Sequence, residues 1–298
     1  MPASYKGKES IQGKTVLITG ANTGIGKETV IDLAKRGGRI IMCCRNVEKG
    51  QEALRDILEE TKSDQVILKQ LDLSSFQSIQ TFARDFNQTE SRLDILINNA
   101  GVMACPRVET EDGLELQIAT NYFGHFLLTS LVLEKLKASC PSRIINVSSL
   151  AHKFGKINFE DLNSEKSYGD WAAYGQSKLA NILHALELTR RLKGTGVTAN
   201  SLHPGSVATD IQRHVNTGCQ GFLFSGMRKF NMFLTPVQGA QTTLHLALDP
   251  GLQDVSGKYF SDCKEKTPSH RARNEADATR LWVMTEQIIS QRLSSTHM

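Results

Sequence analysis

The chain has 298 residues, 40% hydrophobic and 22% charged, with a formal net charge of +4, a balance that suits one soluble globular unit able to bury a large core. No Lys/Arg block and no basic–aromatic alternation appears, which argues against a nucleic-acid partner. The six cysteines (Cys43, Cys44, Cys105, Cys140, Cys219 and Cys263) lack C-x-x-C or His/Cys ligand spacing, so they read as reduced thiols and give no metal site. Residues 1–12 are polar, and no run elsewhere approaches the ~18 apolar residues of a membrane-spanning helix. A cytoplasmic protein is therefore expected, and the Asn87-Gln-Thr89 sequon carries little meaning without a secretory signal.

In chain order, apolar runs predict strands at 14–19, 39–44, 65–71, 93–97, 142–148, 196–202 and 257–260. Amphipathic patterns between them predict helices at about 25–37, 47–62, 75–90, 113–137, 170–193 and 236–248. Near-continuous apolar strands interleaved with helices imply an α/β fold: a single-domain, Rossmann-type, doubly wound parallel sheet flanked by helices. Within one domain of 1–298, a dinucleotide-binding part is expected over about 13–150 and a catalytic and substrate part over about 145–290. In such a sheet, functional residues collect beyond the C-terminal ends of the strands. Gly20, Arg45, Asp72, Asn98 to Gly101, Ser149 and Pro204-Gly205 each fall just after a predicted strand.

Strand, glycine turn and helix follow one another in Lys14–Thr19 and Gly20-Ala-Asn-Thr-Gly24-Ile-Gly26. That order makes a phosphate cradle, because glycines let the backbone approach a pyrophosphate and a helix N-terminus offers unpaired N–H groups. The spacing is G-x-x-x-G-x-G rather than the commoner G-x-G-x-x-G, and a glycine cluster of this kind also serves as a plain tight turn. At the end of the second strand an NAD enzyme usually carries a carboxylate for the adenosine ribose. Here that position is the neutral Cys44, followed by the cation Arg45, which would favour a 2′-phosphate; a surface arginine opening a helix is the alternative.

Tyr174 and Lys178 stand four residues apart on a predicted helix, hence on one face. The ammonium is expected to lower the phenol from its ordinary pKa of ~10, so that Tyr174 can pass a proton near neutral pH. An exposed Tyr/Lys pair on a solvated helix would show the same spacing. His152 and His203 flank candidate loops, but no G-x-S-x-G surrounds Ser149, so both histidines read as structural hydrogen-bonders.

Taken together, Thr19 to Gly26, Asp72-Leu73, Asn98-Asn99-Ala100-Gly101, Asn121, Ser149, Tyr174, Lys178 and Pro204-Gly205 resemble the short-chain dehydrogenase/reductase family over nearly the whole chain. Within it, Gly20–Thr29, Asn99–Met103, Gly124–Thr129, Ser177–Asn181 and Ser256–Cys263 are similar to retinol dehydrogenases 11 to 14, as is Arg271–Asn274 followed by Leu281-Trp282. The resemblance implies a catalytic group of Asn121, Ser149, Tyr174 and Lys178. Ser149 is chosen over Ser148 because the family places its serine second in Ser-Ser. Asn121 would hold a water in the proton relay, or else be a buried helix-bonding amide. The implied cofactor is NADP(H), held by Gly20, Asn22, Thr23, Gly24, Ile25, Gly26, Arg45, Asp72, Leu73, Asn98, Ala100, Gly101, Tyr174, Lys178, Pro204 and Gly205. Asp72 would accept from the adenine amine; taken alone it could equally cap the helix beginning near Ser74, and the two roles are compatible.

The implied substrate is retinal and retinol or a similar lipophilic carbonyl and alcohol. Rival readings are a broader carbonyl reductase of lipid aldehydes or steroids, and a non-catalytic dinucleotide-sensing protein. Members of this group usually begin with a hydrophobic anchor that residues 1–12 do not supply. Peripheral contact with an intracellular membrane such as the endoplasmic reticulum, and a homodimer, complete the expectations. Leu223, Met227, Phe230 and Leu234 recur at helical spacing, interrupted by Arg228 and Lys229. In family members a substrate lid lies here, so an apolar lid or a bilayer-resting helix over 222–234 is expected, with core packing the plain alternative.

Overall fold

The computed structural model describes residues 3–207 and 233–295. Eight strands form one sheet in the order β3-β2-β1-β4-β5-β6-β7-β8. They are β1 (Thr15–Thr19), β2 (Arg39–Cys44), β3 (Val66–Gln70), β4 (Ile95–Asn98), β5 (Ser142–Val147), β6 (Val197–His203), β7 (Tyr259–Ser261) and β8 (Lys264–Lys266). All neighbouring pairs through β7 are parallel, and only β7 with β8 is antiparallel. Seven strands match the expected runs to within a few residues. The eighth, Lys-Glu-Lys, is fully exposed and carries no apolar signal; its charges suit the edge it forms.

The described helices are α1 (Gly24–Lys35), α2 (Val47–Thr61), α3 (Phe76–Thr89), α4 (Leu116–Ile118), α5 (Gly124–Ala138), α6 (Asp170–Arg191), α7 (Pro236–Leu248) and α8 (Glu275–Ser295). Their starts follow local chemistry. Asn46 accepts from Lys49 N ahead of α2, Ser75 accepts from Ser78 N ahead of α3, and Thr235 with Gln238 closes a capping box in front of Pro236. The predicted continuous helix over 113–137 is broken: a wide π turn at Ala119–Phe123 joins the short α4 to α5. Such turns cost hydrogen-bond geometry and collect at functional sites. α8 lies outside the predicted elements.

Strand alternation splits the core in two. Leu17, Ile41, Leu96 and Ile144 face one side, against Phe76, Phe86, Tyr122, Phe126 and Leu183. Val16, Ile18, Ile40, Met42, Ile97 and Ile145 face the other, against Val30, Leu33 and Leu244. A sheet covered on both faces explains why its strands read as unbroken apolar runs. α6 is held at its far end by α8: buried Glu187 accepts from Arg190, Arg191 and Thr279, while the Arg191 guanidinium lies 4.3 Å from the ring centroid of Trp282. Among the described residues no helix is long and apolar enough to cross a membrane.

Candidate active site at the C-terminal edge of the sheet

β1 pairs with β2 on one side and β4 on the other, so the chain direction of the connections reverses there and a crevice opens beyond the strand ends. A cleft of ≈ 560 Å³ occupies that place. Its floor is the β1–α1 turn, where Gly20 and Gly24 have φ of +65° and +56°. A Cβ on Gly20 would sit 2.8 Å from Ala100 Cα, and one on Gly26 would sit 2.2 Å from Gly20 O. These glycines bring backbone against backbone and leave the first turn of α1, which holds no acidic side chain, facing the cleft.

Asn22, Thr23, Gly24, Ile25, Gly26, Arg45, Asp72, Leu73, Ala100, Gly101, Tyr174, Lys178, Pro204 and Gly205 all line this cleft, as Gly20 does. Asn98 does not. It is buried, and its amide donates to Thr129 Oγ1 (3.1 Å) and Asn146 Oδ1 (2.9 Å), because the alternation of β4 turns that side chain into the core while Asn99 and Ala100 reach the cleft.

At the end of β2, the Arg45 guanidinium is largely exposed, with its Nε 4.0 Å from Asp72 Oδ2. Cys44 Sγ donates to Asn46 O (3.2 Å). Asp72 Oδ1 accepts from Ser74 N (2.9 Å) and Ser74 Oγ (2.6 Å), but the cap of α3 is Ser75, so the helix-cap role for Asp72 does not hold. Lys49, one turn into α2, also lines the cleft. It brings a second cation beside Arg45, which sequence reasoning missed because one lysine in an amphipathic helix resembles any surface charge.

Ser149, Tyr174 and Lys178 meet on the opposite wall. Ser149 follows β5 after one intervening residue, its Oγ accepts from Ala151 N (3.2 Å), and it lines the cleft together with Tyr174. Both Tyr174 and Lys178 are buried, which excludes the solvated-helix alternative. Lys178 Nζ donates to Val147 O (3.2 Å) and lies 5.8 Å from the Tyr174 ring centroid. The expected lowering of the phenol by the ammonium does not emerge from the chain itself. Burial pushes Tyr174 up to about 12, opposed by the polar influence of the Ser149 hydroxyl, and burial pushes Lys178 down to about 8. Loss of solvation outweighs the mutual effect of the pair at this separation.

Asn121 sits in the wide turn, fully buried and off the cleft surface. Its Oδ1 accepts from Val102 N (2.8 Å), and its Nδ2 donates to Val102 O and Ser177 Oγ (both 2.9 Å). The side chain therefore braces the loop after β4 against Ser177 of α6. His152 and His203 behave as structural hydrogen-bonders. His152 Nε2 accepts from Ser269 N (3.2 Å), leaving Nδ1 to donate to Ser149 O (2.7 Å), and His203 Nδ1 accepts from Leu150 N (3.2 Å).

The mouth of the cleft is apolar: Met103, Leu150, Phe154, Trp171 and Phe233 line it. Phe154 is 84% exposed and Leu150 44%, whereas Trp171 packs edge-to-face on Tyr174. Of the predicted lid, Leu223, Met227, Arg228, Lys229 and Phe230 lie outside the described residues. Leu234 is described, and it forms a parallel bridge with Val207 instead of continuing a helix.

The family described as short chain dehydrogenase matches residues 14–220. Retinol dehydrogenase 13 of Mus musculus is 52% identical over 287 residues, covering 95% of this chain and 85% of its own length. Retinol dehydrogenase 12 of Homo sapiens is 51% identical over 283 residues, covering 95% and 88%. Among solved structures, an uncharacterized protein from Mycobacterium paratuberculosis is 36% identical, with a TM-score of 0.75 and 94% of each chain covered.

Proposed function

We propose a specific reaction for this chain, which belongs to the short-chain dehydrogenase family and is an oxidoreductase: the NADP(H)-dependent interconversion of retinal and retinol, or of similar lipophilic carbonyls and alcohols. The observation that carries this reading is the meeting, in one cleft, of a glycine cradle, a pair of cations at the end of β2, a buried Ser-Tyr-Lys group and an aromatic mouth. When bound, the dinucleotide supplies or accepts the hydride. Everything else falls to the protein.

A pyrophosphate suits the cradle: the first turn of α1 faces the cleft without an acidic side chain, and a Cβ at Gly20 or Gly26 would strike Ala100 Cα or Gly20 O and push that turn out of place. Arg45 and Lys49 would hold a 2′-phosphate, and the neutral Cys44 offers no carboxylate to repel it. In reduction, Tyr174 donates its phenolic proton to the carbonyl oxygen; in oxidation it accepts one from the alcohol. Ser149 bonds the same oxygen where negative charge develops, and acts without reorganising because its loop is pinned by His152. Lys178 carries the positive charge of the site and is tied to the end of β5. Asn121 keeps Val102 and Ser177 in place behind them.

Trp171, Phe154 and Met103 form the wall for an apolar substrate, and burial of a polyene there contributes about 25 cal/mol for each Å² removed from water. All-trans-retinal with NADPH should therefore show a higher kcat/KM than hexanal, mostly through KM. NADPH should serve far better than NADH. Equal efficiency with retinal and nonenal would favour the broad carbonyl-reductase reading, equal use of both cofactors would remove Arg45 and Lys49 from their roles, and turnover of no carbonyl by an NADPH-bound chain would overturn the reading.

A further inference from the structure

His125, in the first turn of α5, is buried and has both ring nitrogens engaged. Nε2 lies 2.8 Å from Thr19 Oγ1 at the end of β1, and Nδ1 lies 3.0 Å from the Asn121 carbonyl oxygen in the wide turn. The proton positions follow by counting. Thr19 Oγ1 accepts from two backbone donors, Asn99 N and Ala100 N, both at 2.9 Å. Its two lone pairs are spent, so its one proton goes to His125 Nε2. Nε2 is then the acceptor, the imidazole proton sits on Nδ1, and Nδ1–H donates to Asn121 O. A second ring proton would face the Thr19 hydroxyl with no lone pair to receive it. Burial acts in the same sense, holding the imidazole near a pKa of about 3.

These bonds close a ring. From Thr19 the path runs through Asn99, Ala100, Gly101 and Val102, crosses to the Asn121 side chain at Val102, and returns through the Asn121 carbonyl and His125. Each side of the ring touches a different part of the cleft. Gly20 packs on Ala100, and a Cβ on Gly101 would sit 3.3 Å from Lys178 Nζ. Asn121 Nδ2 donates to Ser177 Oγ, which donates to Tyr174 O at 2.8 Å.

We propose that His125 is a positioning residue that, as a neutral imidazole protonated on Nδ1, fixes the dinucleotide-facing segment Asn99–Val102 relative to Tyr174 and Lys178. The inference rests on the function proposed above. Its effect is on the distance and angle between a bound dinucleotide and the proton donor, a geometry to which hydride transfer is steeply sensitive: a 1 Å misplacement costs on the order of a hundredfold.

The test combines a measurement independent of turnover with a variant series. Long-range proton–nitrogen NMR of the 15N-labelled protein at pH 7, assigned by the signals lost in His125→Gln, should show Nδ1 protonated and Nε2 bare. An Nε2–H ring or an imidazolium would overturn the proposal. In His125→Gln the amide oxygen can still accept from Thr19, in His125→Asn the amide nitrogen can still donate to Asn121 O, and His125→Leu does neither. At saturating NADPH the first two should lower kcat about tenfold and the third about a hundredfold, with substrate KM within about twofold of wild type. The kinetic isotope effect with 4-deuterated NADPH should stay the same or grow, and NADPH binding, titrated by fluorescence, should remain one per chain. A kcat loss that merely tracks a fall in binding stoichiometry would make His125 structural only and overturn the role. So would a His125→Leu kcat within about twofold of wild type; if that variant does not fold, the same limit applied to the Gln and Asn variants decides. A wild-type chain that binds NADPH and reduces no carbonyl would sink the functional reading and this role with it, while the NMR pattern alone reports whether the ring of bonds exists.

Discussion

The floor of the cleft and its mouth are built on opposite principles. The floor and the layer beneath it, from Thr19 through the half-buried Asn99–Gly101 to the buried Asn121 and Ser177, are polar and tied together by directional hydrogen bonds. The mouth, at Leu150, Phe154 and Trp171, is apolar, and its largest exposed ring, Phe154, is 84% accessible. Directional bonds with fixed lengths hold reacting groups in place, whereas apolar surface selects by area and tolerates variation in shape. Chemistry and cofactor choice should therefore respond sharply to single substitutions around the floor, and substrate preference should respond gradually to substitutions at the mouth.

The largest effect is expected at Tyr174. Tyr174→Phe removes the proposed proton donor without disturbing the glycine cradle, so kcat should fall by about 10³-fold or more, with NADPH affinity nearly unchanged by fluorescence titration. Retention of a tenth of wild-type kcat would take Tyr174 out of its role. At the adenosine end, Cys44→Asp with Arg45→Ala both deletes attraction and adds repulsion to a 2′-phosphate, so the ratio of kcat/KM for NADPH over NADH should drop by about a hundredfold. Lys49 remains in that double variant, and a residual preference abolished only by adding Lys49→Ala would confirm its share.

At the mouth, Phe154→Ser should raise the retinal KM about three- to tenfold and leave kcat and the hexanal KM nearly alone, since only part of one ring's burial is lost. A fall in kcat as large as that for a floor residue would erase the proposed contrast. The smallest effect is on pH dependence. With burial holding Lys178 near 8, the ammonium is present below that pH and is lost above it, so reductive kcat should be level from pH 6 to about 7.5 and decline severalfold by pH 9. A profile flat through pH 9 would show that the charge of Lys178 is not needed for the chemical step.

The sheet and most of the cleft were legible in the sequence for a simple reason. A parallel sheet buried on both faces must be written in apolar runs, and its site must lie where those runs end, so Gly20, Arg45, Asp72, Ser149 and Gly205 could be placed without coordinates. What stayed hidden depends on contacts distant in sequence. The π turn at Ala119–Phe123 has no local signature, because its residues also suit an ordinary helix. Asn98 and Asn99 are adjacent and chemically identical, and only the pleat decides that one faces Asn146 and the other the cleft. The phenol of Tyr174 was expected low on the strength of its neighbour's charge, but burial of both groups depends on the whole surrounding fold. His125 went unnoticed as a single histidine on an apolar helix, and its meaning lies in Thr19, more than a hundred residues earlier.

Glu187 gives the carboxy-terminal tail a role at a distance. It clasps Arg190, Arg191 and Thr279 at the end of the helix that begins just before Tyr174, and Trp282 lies under Arg191. No residue of α8 lines the cleft, yet α8 is the splint along which α6 is set. Amide hydrogen exchange should find the two helices opening as one cooperative unit, and a protease cut between Asn274 and Trp282 should loosen the backbone around Lys178 while sparing the glycine turn. The last described helix thereby acts as the keel of a candidate active site that it never touches.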